Sequence, residues 1–103
     1  PNDEVGTTFA IPGCVDSLSG DTLFYALYYG GGPGKLGAAR ILLRASVASL
    51  LNAAHPSVSY PHAVVDVIDS VNNALASCDR ATMLSLASSL DRDNNLGCPL
   101  GNE

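Results

Sequence analysis

Tryptophan is missing from this 103-residue chain, methionine occurs once, phenylalanine twice, and lysine only at position 35. Lysine and arginine together number 5 against 10 acidic residues, a formal charge of −5. That sign repels polyanions, and the few basic side chains make no patch, which excludes nucleic-acid binding. No membrane span is expected, because Arg40 and Arg44 interrupt the longest apolar segment. The chain opens at Pro1 without an initiator methionine or a charged-then-apolar leader, as a processed or truncated product would. Cysteine is scarce and odd in number: 3, which leaves at least one thiol over. With so little lysine and so much serine, alanine and glycine, this pattern points to an extracellular location.

What is present is a 47% hydrophobic content, enough for one modest core and too much for a disordered tail. The organising stretch is 35–54, where Leu36, Ala39, Leu43, Val47, Leu50 and Ala54 share one face at helical spacing. Ala38, Ala45, Ser49 and Ala53 form a second, small-residue face that admits a close neighbour. His55-Pro56 ends this helix. A short helix is expected over 22–29, capped by Asp21 and stopped by Gly30-Gly31-Gly32-Pro33-Gly34. A third runs from Pro61 to about Ala76, with Val64, Ile68, Val71 and Leu75 inward. A fourth covers roughly 80–94, with Ser77 or Asp79 as cap and Met83, Leu86, Ala87 and Leu90 inward. Residues 1–20 show no helical period, and Val5–Ile11 is β-prone. The expected fold is therefore all-α: a small four-helix bundle over 21–103 with an extended N-terminal arm over 1–20.

Several patterns touch on chemistry. GGGPGKLG resembles a phosphate loop, yet Tyr29 stands where its first glycine belongs and Leu36 where its hydroxyl belongs. Asp91, Asp93, Asn95 and Gly97 resemble the opening of a calcium loop, but Leu96 and Asn102 fill the positions that need Gly and Glu. His62, Asp66 and Asp69 share a helical face with His55 across the turn, a set that could hold zinc and equally a solvated face. Arg40 and Arg44 are expected to pair with Asp66, Asp69 or Asp79. Phe24, Tyr25, Tyr28 and Tyr29 cannot all face inward, which leaves a pair for a partner or a sugar. No nucleophile–base arrangement can be assembled, so no catalytic residue, metal or cofactor is expected.

The segments TLFYALYYGGG, LGAARILLRASVASLLNAAHPSVSYP and DNNLGCPL resemble a module of secreted, often multidomain bacterial surface proteins, with LLNAAHPSVSYP the most specific run. The similarity covers about Thr22 to Leu100. In that family the module follows a segment with a Cys and a Tyr-Trp-Lys-Asn-His motif, which a chain without tryptophan lacks. The resemblance implies an extracellular location and carries no activity with it. Cys78 and Cys98 bracket the fourth helix at about 25 Å, beyond the roughly 7 Å a disulfide tolerates, so they cannot pair with each other. Cys14 can reach either, and Cys78, at the start of that helix, is the expected partner. The resemblance would have Cys98 meet a cysteine of the missing upstream half, leaving it free or joined to another chain.

The expected function is an extracellular structural or assembly module, a filament subunit linked through its arm, self-associating or meeting a cell-surface or matrix partner. Phe9, Ile11, Tyr25 and Tyr29 are its expected interface residues. The alternative is a small ligand-binding module for a sugar or a metal.

Overall fold

The computed structural model describes residues 3–55 and 61–95. These residues form short helical turns at Val5–Thr8 (α1) and Leu23–Ala26 (α2), a 3-10 segment at Gly13–Leu18, and three long helices. The long helices are Gly34–Ala54 (α3), Val64–Ala76 (α4) and Arg80–Asn95 (α5). The all-α expectation holds. The four-helix bundle is replaced by three long helices, because the helix expected over 22–29 closes only one regular turn. So short a segment gains few hydrogen bonds for the cost of nucleation. Its cap is Thr22, whose hydroxyl accepts from the Tyr25 N–H at 3.0 Å, rather than Asp21.

α3 sits at the centre and packs against α5 and α4. Both of its faces are buried along much of their length: Ala39, Leu43 and Val47 on one, Ala38, Ala45 and Ser49 on the other. By length and composition alone α3 could cross a membrane. Its burial on several sides is what the core helix of a folded domain shows. The small-residue face brings α5 close enough for a buried polar junction. There Asn94 accepts from Ser49 at 3.0 Å and from Asn52 at 3.2 Å, and donates to the Ala45 carbonyl at 3.2 Å. Gly37 has a similar reason to be small, since a Cβ there would lie 1.9 Å from the Gly32 carbonyl oxygen. In α4 the buried stripe is Val67, Val71, Ala74 and Leu75, and Val64 is left exposed at the first turn. α5 is capped by Asp79, which accepts from the backbone N–H and the hydroxyl of Thr82. These bonds, the hydroxyl's first, hold the Asp79 carboxyl below its ordinary pKa.

The expected extended arm is a correction. Residues 3–20 fold as helical and 3-10 turns and supply Val5, Phe9, Val15 and Leu18 to the same core as the long helices. Among the described residues there is no strand, only an isolated bridge between Glu4 and Thr22. β-propensity reflects fit to a pleated, half-buried surface more than a backbone preference. With no sheet to join, Val5 and Phe9 meet the core at helical spacing instead, and the Phe9 N–H closes onto the Val5 carbonyl. Cys14 joins Cys78 in a disulfide with a Cα separation of 6.3 Å, as expected. Cys78 takes the left-handed conformation (φ 51°) just past α4. Cys98 lies outside the described residues.

Candidate functional site

Two concave regions flank α2. The first is a polar cleft of about 450 Å³ between the 3-10 segment, α2 and the N-terminal half of α3. Ser17, Leu18, Asp21, Tyr25, Tyr29, the backbone of Gly30 and Gly31, and Arg40 line it. Its size falls in the usual range for small-molecule sites. Tyr29 lies buried on one wall and donates its phenolic hydrogen to Asp21 Oδ2 at 2.5 Å. Burial first, then this hydrogen bond, hold the phenol well above its ordinary pKa. Tyr25 stands edge-on to Tyr29, ring centroids 5.7 Å apart and planes at 87°, and is 58% exposed. Arg40 and Asp21 share the cleft without forming an ion pair, the His62–Asp93 contact being the one found among the described residues.

The second region is an apolar groove of about 280 Å³ between α2 and the C-terminal half of α3. Leu23, Phe24 and Leu27 form one wall, Val47, Leu50 and Leu51 the other. Phe24 and Leu51 stand about half exposed at its edges, and Tyr28, in edge contact with Phe24, is 71% exposed. The single turn of α2 is too short to cover this part of α3: Leu23, Leu27 and Leu50 pack partly against the core, while Leu51 stays half exposed.

The expected interface residues are therefore divided. Phe9 and Tyr29 are core residues, 2% and 7% exposed, and correct the expectation that they meet a partner. The local reason is spacing: Phe9 follows Val5 by four, and Tyr29 follows Ala26 by three, each onto the inward side of its turn. Ile11 is partly buried against the core. Tyr25 remains exposed, and Phe24 and Tyr28 are the aromatics that join it at the surface.

The arginines do not meet Asp66, Asp69 or Asp79. Arg44 reaches the Tyr29 carbonyl at 3.4 Å, and Arg40 faces the cleft. His62 contacts Asp93 of α5 at 2.6 Å instead of joining Asp66 and Asp69, which are exposed. Among the described residues no three His, Cys, Asp or Glu side chains converge as a metal site would need. Asp91 and Asp93 point to different neighbours, and Gly97 of the calcium-like run lies outside the described residues. In the glycine-rich loop it is carbonyls, of Gly32 and Gly34, that turn to a cation: both accept from Arg80 Nη1 at 2.8 Å. A phosphate loop presents N–H groups instead.

In the sequence Asp21 reads as a helix cap and Arg40 as an ion-pair partner, and neither reads as a cleft residue. The one available signal was an arginine on the most apolar helix with no acidic residue three or four positions away. No family model, curated protein or solved structure matches the chain.

Proposed function

We propose that this chain is an extracellular, non-enzymatic assembly module that associates with copies of itself through the groove between α2 and α3. The observation that carries the reading is the clustered apolar surface of Phe24, Leu27, Leu50 and Leu51, which line one groove with Phe24 and Leu51 about half exposed. The groove and the residues that protrude at its edges belong to one patch, so a two-fold pairing would set each Phe24 against the other copy's Leu51. The Cys14–Cys78 disulfide and the resemblance to a bacterial surface module support the extracellular location. The folded arm shifts the contact away from Phe9, whose ring is already engaged within its own chain. A two-fold pair closes on itself, so growth into a filament would require a second contact, for which Cys98 is the candidate.

Sedimentation velocity over a concentration series tests the reading. The intact chain should associate, and Leu51→Asp should weaken association by at least about tenfold, because a carboxylate would be desolvated in an apolar contact. A chain that stays monomeric at high concentration, or a Leu51→Asp variant that associates normally, would refute it. The alternative, a ligand-binding module, is favoured by a separate observation, the polar cleft.

A further inference from the structure

We infer that the cleft between the 3-10 segment, α2 and α3 binds an acidic sugar, a pyranose ring bearing one carboxylate. The inference deepens the ligand-binding reading and uses none of the groove residues, so either can fail alone.

The argument starts from charges that share a cavity without meeting. Arg40 lines the cleft and donates no hydrogen bond among the described residues, although Asp21 lines the same space. A guanidinium presents a planar fork that fits a carboxylate with two parallel hydrogen bonds. Asp21 is already fixed from one side, its Oδ2 taking the Tyr29 hydroxyl, which leaves Oδ1 to accept from a ligand. An acceptor of that kind selects ligand hydroxyls and repels a second negative charge. Phosphate, with its higher charge, is therefore disfavoured against a single carboxylate on a hydroxyl-rich body. The chain's own −5 charge disfavours polyanions for the same reason.

The remaining wall fits a ring. Tyr25 is exposed and held in place by its edge contact with Tyr29, and an aromatic face carries the negative end of a quadrupole. The C–H groups on one side of a pyranose are weakly positive and apolar, and they pack against such a face. Gly30 and Gly31 also line the cleft and offer backbone with no side chain between it and the ligand, and Ser17 adds a hydroxyl to the lining. One carboxylate clamp, one hydroxyl acceptor and one aromatic wall define a carboxylated sugar better than any of the three would alone.

The test is an NMR titration of the intact, disulfide-bonded chain with glucuronate, and separately with glucose and with acetate. Glucuronate should shift the amide signals of Tyr25, Gly30 and Gly31 saturably, with glucose and acetate each at least about tenfold weaker. Arg40→Met should weaken glucuronate binding about tenfold and leave it no better than glucose. Tyr25→Ala, at an exposed position where the fold has little to lose, should weaken both sugars alike. Leu51→Asp should bind as the intact chain does, whether or not the chain associates. The inference is overturned if glucuronate gives no saturable shift or shifts signals elsewhere. Glucose or acetate binding as tightly as glucuronate, or Tyr25→Ala binding as tightly as the intact chain, would overturn it equally.

Discussion

Tyr29 carries three jobs with one side chain: its ring fills core space, its hydroxyl fixes Asp21, and its edge contact steadies Tyr25. Ionising it would place a phenolate beside a carboxylate in a poorly hydrated site, which is why the fold holds its proton. The unfolded chain would release that proton near the ordinary value of about 10. The native state therefore binds the proton more tightly, so Tyr29's contribution is complete below that pH and is lost as pH rises beyond it. Alkaline titration followed by tyrosinate absorbance should show a component that ionises well above the ordinary value and disappears in Tyr29→Phe. If the variant keeps that component, another tyrosine produces it and the assignment is wrong. The sequence could not have singled out this residue, because four aromatics in six positions leave it undetermined which of them turns inward until the helix phase is known.

At the scale of elements, legibility followed length. α3 and α5 lie within a residue or two of their expected bounds, since long periodic segments with clear stops repeat the same signal several times. The arm carries no period to read, and its β-branched and aromatic residues point to a strand for which the described residues offer no partner strand. Residues 3–20 are instead held by burial of Val5, Phe9, Val15 and Leu18 and by the disulfide from Cys14 to the end of α4. That bond spans 64 positions, a loop whose closure restricts the unfolded chain by about 4 kcal/mol in the chain-entropy view. Replacing both cysteines, Cys14→Ser with Cys78→Ser, should therefore lower unfolding stability by about 2–5 kcal/mol in urea, with the 3-10 segment loosening first. Equal stability with and without the bond would mean that packing alone holds the arm.

For the whole molecule, surface chemistry was the least legible part. Val47 and Leu50 read as core positions in the sequence, and Val47 is buried, yet the brevity of α2 leaves Leu50, with Leu23 and Leu27, lining an open groove. Hydrophobic periodicity identifies which side of a helix avoids water. It does not reveal whether the neighbour that covers that side is in the same chain. Arg40 and Asp21 came together in the cleft by tertiary packing across 19 positions, a separation over which sequence spacing carries no geometric information. These two surfaces oppose each other in their response to salt. Copies of a chain with a charge of −5 repel over a distance of about 10 Å at 0.1 M ionic strength and over much less at 1 M. Burial of Phe24 and Leu51 has no such repulsion to overcome once it is screened, and excluded salts strengthen it. Self-association through the groove should thus strengthen steadily as sodium sulfate is added, whereas glucuronate binding at Arg40 should weaken, since its charge pairing is screened. Measuring both on the same sample by sedimentation and by NMR separates the two surfaces. Association that weakens with salt would mean that ion pairs hold the copies together, and the groove would then lose its role.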